Sequence, residues 1–505
     1  MNAFENILAG FGTALTPENL LFGLIGVLLG TAVGILPGLG PAVAISLLLP
    51  LTFGLEPTSA FIMFGGIYYG ALYGGAITAI LVNTPGSASA AVTTFDGYPL
   101  AQEGRTGAAL TVAIIGSFIG GTFATLMLML LAPNLVEIAL GFGPSEYFAL
   151  MLLALVLVST VGGSSISKAI FATLLGVSIG LIGIDLQTGE ARMTFGIPSL
   201  YSGVNIVIAA IGLFAVGEAF WIASGAKEEA KHVNQSNASR FAMSAAEWLR
   251  SSIAWVRGTV IGFFIGILPG AGGILASFVA YGTERRFSKH PDKFGHGVVE
   301  GVAAPEASNN AAAGGSMVPL LALGIPGSGT TAVMLVAFQI YGLQPGPLLF
   351  ENSGDLVWAL IASLYVTNVL LVVLNLPLVG VWSKLINLPP RLIFATVLVL
   401  STIGAYSLKG SIGDVVIMYA LGALAFVLRK FSFPIAPVLL GVLLGPLIEQ
   451  EFRRAMSISG GEIDIFFTRP LSAFLIFVAI ASLSLSIGSK LRPGAAKREP
   501  ERADT

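Results

Sequence analysis

Long apolar runs, cut at intervals by Pro-Gly and divided by short polar loops, fill most of the chain. Runs near or above ~18 residues, the length that spans a bilayer core, recur from Leu20 to Ile487. The run 20–53 is broken at Pro37-Gly38, and each arm of about 17 residues is short for a full crossing. It reads as a helical hairpin with its tip at 36–40. A crossing over 61–95 follows, interrupted at Asn83–Ser87. Further spans are predicted near 107–131, 145–161, 166–184 and 202–222.

Residues 225–257 form the longest hydrophilic stretch, with Lys227, Lys231, Arg240, Arg250 and Arg257. Beyond it the pattern restarts. A hairpin over 258–282 and a crossing over 297–340, broken at Pro326-Gly327, precede spans near 356–380, 392–408, 412–428, 434–448 and 470–488. The restart is a repetition in residues as well as in pattern. Residues 26–40 read GVLLGTAVGILPGLG and 258–272 read GTVIGFFIGILPGAG. Asn83-Thr84-Pro85-Gly86-Ser87 likewise answers Gly324-Ile325-Pro326-Gly327-Ser328. Each half thus carries two Pro-Gly interruptions in apolar sequence, the pattern of a membrane carrier with internal repeats and broken helices.

Basic residues set the expected sidedness. No Lys or Arg precedes Arg105, so the N-terminus lacks the basic region of a cleaved signal peptide and is expected outside. Both flanks of 258–282 are basic, through Arg250 and Arg257 on one side and Arg285, Arg286, Lys289 and Lys293 on the other. A segment that leaves and returns to one side is re-entrant. The tail Lys490, Arg492, Lys497 and Arg498 is expected inside, whereas Arg192 and Lys409 fall on the outer side as exceptions. The expected fold is therefore an all-α polytopic membrane protein of about eleven crossings plus two hairpins. Its first repeat (1–224) and second repeat (258–489) have inverted topology, joined by a cytoplasmic linker (225–257) and followed by a cytoplasmic tail (490–505).

Composition agrees: 55% of residues are hydrophobic and 10% charged, against roughly 25% charged in soluble proteins. With no cysteine, disulfides, thiolate metal sites and cysteine nucleophiles are excluded. His232, His290 and His296 all lie in polar stretches, which argues against a buried histidine base or zinc site.

The chemistry is expected at the breaks. Irregular backbone survives at membrane depth only where protein or a wet cavity surrounds it. Half-helix N-termini there suit a carboxylate, and freed carbonyls suit Na⁺. The candidate substrate residues are Gly38, Gly40, Asn83, Thr84, Gly86, Ser87 and Ser89 in the first half. In the second they are Gly270, Gly272, Gly327, Ser328, Thr330 and Thr331. Glu306, with Asn309 and Asn310, is either an ion-coupling site within a span or a carboxylate at the first turn of a helix. The GxxxGxxxG runs at Gly26–Gly34 and Gly258–Gly266 read as close-packing faces. Tyr68, Tyr69 and Tyr73 read as packing or interface residues. No resident cofactor or metal is expected beyond Na⁺ at the breaks.

Several segments resemble one known family: GILPGLGP at 34–41, NTPGSASA at 83–90, DGYPLAQEGRTG at 96–107, the run 304–335 and QPGPLLF at 344–350. They are similar to the large membrane subunit of the tripartite tricarboxylate transporters, over nearly the whole chain. The resemblance implies a bacterial inner-membrane secondary transporter that imports citrate or related carboxylates, driven by a Na⁺ or proton gradient. It also implies a small membrane subunit and a periplasmic solute-binding protein as partners. The chain holds no phosphate-cradling Gly-rich loop followed by Lys-Ser or Lys-Thr. The layout is similar to elevator-type carriers. Rival readings are a same-fold carrier for a dicarboxylate, an aromatic acid or an amino acid, a channel, and a membrane-embedded hydrolase.

Overall fold

The computed structural model describes residues 3–36, 38–161, 165–185, 187–225, 243–270, 272–385 and 389–491. Pro37, the linker residues Lys227, Lys231 and Arg240, and the tail residues Arg492, Lys497 and Arg498 lie outside the described residues. In the first half, α1 (Ala3–Ala14), α2 (Pro17–Ile35), α3 (Gly40–Leu48), α4 (Pro57–Val82), α5 (Thr93–Gln102), α6 (Thr106–Leu140), α7 (Pro144–Val161) and α8 (Ile166–Gly180) come first. A small antiparallel pair, β1 (Gly183–Ile184) with β2 (Ala191–Arg192), and α9 (Pro198–Tyr201) follow. Then α10 (Ile206–Ala210) and α11 (Gly217–Ala223) flank a π-helical turn at Ile211–Val216.

The second half begins with α12 (Ala245–Ile267), α13 (Gly272–Phe287), α14 (Glu300–Leu323), α15 (Gly329–Ile340) and α16 (Pro347–Asn352). It ends with α17 (Gly354–Leu385), α18 (Pro390–Lys409), α19 (Ile412–Lys430), α20 (Ala436–Ile458), α21 (Ile465–Thr468) and α22 (Pro470–Leu491). Among the described residues, eight helices are long and apolar enough to cross a membrane, and four shorter apolar helices accompany them. The chain is an all-helical, multi-pass membrane protein apart from the β1–β2 pair.

Both hairpins form, and each packs the same way. A Cβ placed on Gly26, Gly30 or Gly34 of α2 would fall 2.3, 2.4 and 2.3 Å from the carbonyl oxygens of Met63, Ile67 and Ala71 of α4. On Gly258, Gly262 and Gly266 of α12 it would fall 2.3, 2.2 and 2.4 Å from those of Ala304, Ser308 and Ala312 of α14. Only glycine permits this approach, so the two GxxxGxxxG runs are packing faces. Residue numbers rise together in both pairs, so α2 runs parallel to α4 and α12 runs parallel to α14. The starts of the paired helices adjoin accordingly: Asn19 accepts from Ser59 at 2.7 Å, and Arg250 pairs with Glu300 at 3.4 Å. In the second hairpin, Glu284 near the end of α13 reaches back to Arg257 of α12 at 3.3 Å.

The helices α4 and α14 are the buried centre of the molecule. The most apolar 18-residue stretch of α4 is buried throughout, and α14 is buried from Gly301 to Ala322. They run antiparallel: Tyr68 lies 3.3 Å from Ser316, whereas Ile80, twelve residues on, sits with Val302 around Gly97.

Three expectations are refined. The Pro-Gly breaks of 61–95 and 297–340 do not divide a crossing. The unbroken α4, 26 residues and about 39 Å long, is complete before its break, as is the 24-residue α14. Each ends in a left-handed residue, Asn83 (φ 56°) or Gly324 (φ 71°). The chain then folds back along the helix it has just left. The hydrophilic linker is shorter than 225–257, because the capping box of Ser244 and Glu247 starts α12 at Ala245. The loop between the spans expected near 107–131 and 145–161 shrinks to 141–143, since α6 continues through Pro133 to Leu140. The segment before residue 20 carries an unanticipated helix, α1, which packs on α17 with Gly10 against the Trp358 carbonyl.

Candidate functional site

The fold-back brings each break to a hairpin tip. Gly86 N donates to the Gly75 carbonyl at 3.3 Å, and a Cβ on Gly86 would lie 2.1 Å from the Gly34 carbonyl. Gly327 takes the matching place against Ser316 and the Gly266 carbonyl, and its own carbonyl accepts from Gly270 N at 2.9 Å. The tips are left-handed turns of matching shape, with Gly38 and Gly40 at φ 81° and 56° and Gly270 and Gly272 at 78° and 55°. A side chain at these positions would be strained, so glycine is required.

Both tips and both breaks open on one cavity of about 680 Å³. Of the expected site residues, Gly38, Gly40, Ser87, Ser89, Gly270, Gly272, Asn309, Ser328 and Thr330 line it. The first turns of α3, α13, α15 and α20 all face it. First-turn N–H groups lack helical acceptors and carry partial positive charge, so these helix ends favour an anion in the cavity. The hydroxyls of Ser87 and Ser89 stand 3.0 Å apart. Ser328 caps α15 through Thr331 and lies 3.4 Å from the Tyr68 hydroxyl.

The remaining expected residues do other work. Asn83 is exposed and supplies the left-handed end of α4, while the Thr84 hydroxyl bonds the Val82 carbonyl. Neither lines the cavity. Gly86 and Gly327 are spacers between backbones, and Thr331 is spent on capping Ser328. Asn310 turns away from the cavity, donating to Ser117 at 2.8 Å.

Glu306 is wholly buried on α14, in its second turn, which removes the first-turn alternative. Its Oε1 accepts from the Thr93 hydroxyl across the two halves. Its Oε2 has no hydrogen-bond partner among the described residues; nor have the Tyr73 hydroxyl, the Asn310 Oδ1 or either polar atom of Asn309. Asn309, one turn on from Glu306, lines the cavity. Among the described residues no three His, Cys, Asp or Glu side chains cluster as for a metal.

The opposite wall was not foreseen from the sequence. It contains Leu213, Phe214 and Glu218 from the π turn and α11, with Arg429 and Phe433 from the end of α19 and beyond. Arg429 Nη1 donates to Glu218 Oε2, and its guanidinium lies 4.6 Å from the Trp221 ring centre. The cavity therefore holds a cationic side chain, supplied by α19 and not by a hairpin tip or a break. Glu218 and Arg429 are 211 residues apart, and nothing local in either stretch announces the other.

A multi-pass helical protein whose two hairpin tips and two Pro-Gly turns open on one cavity belongs among membrane transport proteins. This chain is a member of the tripartite tricarboxylate transporter TctA family, whose sequence model matches residues 20–440. It is 44% identical to an uncharacterized 52.8 kDa protein in the TAR-I ttuC' 3' region of Agrobacterium vitis, over 97% of this chain and 98% of that one. It is 43% identical to an uncharacterized protein in the TAR-II ttuC' 3' region of the same organism, over 46% of this chain and 96% of that one. No solved structure matches.

Proposed function

We propose that this chain is the substrate-translocating subunit of a secondary transporter that imports tricarboxylates such as citrate across the bacterial inner membrane. A periplasmic binding protein delivers the substrate, a small membrane subunit completes the complex, and a Na⁺ or proton gradient drives uptake. The N-terminus faces the periplasm and the C-terminus the cytoplasm. The observation that carries this reading is the cavity where both tips, both breaks and four helix N-termini converge. The antiparallel course of α4 and α14, each with its parallel hairpin arm, supports inverted repeats. Placing the hairpins on one wall and α11, α19 and α20 on the other supports movement of the first against the second, as in an elevator.

Glu306, with Asn309 and Asn310, is the proposed ion-coupling site, because unpaired oxygens within a membrane are costly unless a cation or proton visits them. A hydrolase reading lacks support, since His290 and His296 sit between α13 and α14 and neither lines the cavity.

The test is uptake of labelled citrate into proteoliposomes holding both membrane subunits, with the binding protein added and Na⁺ and pH gradients imposed separately. Uptake should follow one gradient, and S87A with S328A should raise KM or slow transport at least about tenfold, the loss of two charge-assisted hydrogen bonds. Uptake unaffected by both substitutions would overturn the site.

A further inference from the structure

Arg429 and Glu218 are placed where a merely structural ion pair has no need to be. Both line the cavity, facing the breaks. The side chain of Glu218 is 5% exposed and that of Arg429 is 36% exposed. Arg429 occupies the last turn of α19, where the partial negative charge of the helix end favours a cation. Trp221 holds one face of its guanidinium. Glu218 engages it through Nη1, which leaves most of the five N–H donors of the planar fork unengaged by this contact.

Resting on the transport reading above, we propose that Arg429 is an exchangeable counter-ion for a carboxylate of the transported anion, with Glu218 as its resident stand-in. The substrate would then carry at least two carboxylates, one met by the first turn of α15 at Ser328 with the Ser87 hydroxyl and one by Arg429. An unpaired arginine in this wall would hold an anion too tightly to release it and would be costly while empty. A fixed glutamate nearby solves both problems: it neutralises Arg429 before substrate arrives and competes for it when substrate must leave. Bidentate recognition of a carboxylate requires the guanidinium fork, which an ammonium does not reproduce.

Citrate uptake at graded concentrations would be measured in the reconstituted complex for the unmodified chain, R429K, R429Q, E218Q and R429Q/E218Q. E218Q, which keeps the pair's shape and removes the competitor's charge, should lower the citrate KM several-fold and slow release. R429Q should raise KM at least tenfold, and R429K should fall between. The neutral pair R429Q/E218Q should fold yet keep the high KM of R429Q. Recovery of the unmodified KM in that double variant would show a structural ion pair and overturn the proposal, as would unchanged citrate kinetics in R429Q. If the unmodified complex moved no carboxylate at all, the transport reading itself would fail first, which separates the two outcomes.

Discussion

At single residues, Asp96 of α5 is a densely bonded polar side chain away from the cavity. Its Oδ1 accepts from the backbone N–H groups of Gly295, Gly297 and Val298 at 2.9–3.0 Å, and its Oδ2 accepts from the Tyr281 hydroxyl at 2.9 Å. One carboxylate from the first half thus organises the approach to α14 in the second. Removing it strands the Tyr281 hydroxyl and three backbone donors, each backbone donor costing on the order of 1 kcal/mol or more. D96A should therefore lower stability by about 3 kcal/mol in detergent unfolding, and Y281F by only about 1 kcal/mol. The tight glycines give a second contrast. G262A would press a Cβ to 2.2 Å from the Ser308 carbonyl, whereas Gly54 has open space around it. G262A should cost about 3 kcal/mol, as overpacking does, and G54A should change the unfolding temperature little.

At the level of elements, the β1–β2 pair is tied to the end of α20 by charge. Arg453 bonds Asp185 at 2.8 Å and Glu449 at 2.5 Å, and Arg192 bonds Glu449 at 2.7 Å. Arg192, an outer-side exception by its position in the sequence, is held by Glu449 and, at 3.6 Å, by Asp185. The backbone N–H of Gln187, aided by Arg453 and Thr188, holds the Asp185 carboxyl down to about 2. A depressed carboxyl stabilises the fold above its ordinary value near ~4, and that contribution fades as pH falls toward about 2. Pepsin should therefore cut the loop between β1 and β2 increasingly as pH drops across this window. D185N should be cut at pH 4 as readily as the unmodified chain is at the lower end.

Much at this scale was legible beforehand. Proline and glycine act on their own backbone, so the hairpin tips at Gly38–Gly40 and Gly270–Gly272 could be read directly. The reversal after Asn83 and Gly324 could not, because a left-handed residue marks an end without saying where the chain goes next. Glu218 and Arg429 were hidden for another reason: their meaning arises only when α11 and α19 meet.

For the whole molecule, the proposed movement of hairpins against the opposite wall can be trapped. A Cβ on Gly329 of α15 would lie 3.3 Å from the Cβ of Ala436 of α20, across the cavity's two walls. That is close to the spacing a disulfide needs, and the chain has no cysteine to interfere. G329C/A436C should crosslink on oxidation and lose uptake, then regain it on reduction, while either single variant should be indifferent to oxidant. Crosslinking without loss of uptake would mean that the two walls do not slide.

The π turn at Ile211–Val216 immediately precedes Glu218 and Trp221. Such a turn holds a surplus residue, and each residue in an ordinary helix advances the next by about 100°. Were this turn to rewind as an ordinary helix with all its residues kept, the surplus residue would swing the following side chains by about 100° round their axis. Both grips on the guanidinium would then be lost at one stroke, with no charged residue altered. The oversized turn is what aims the acid at its arginine.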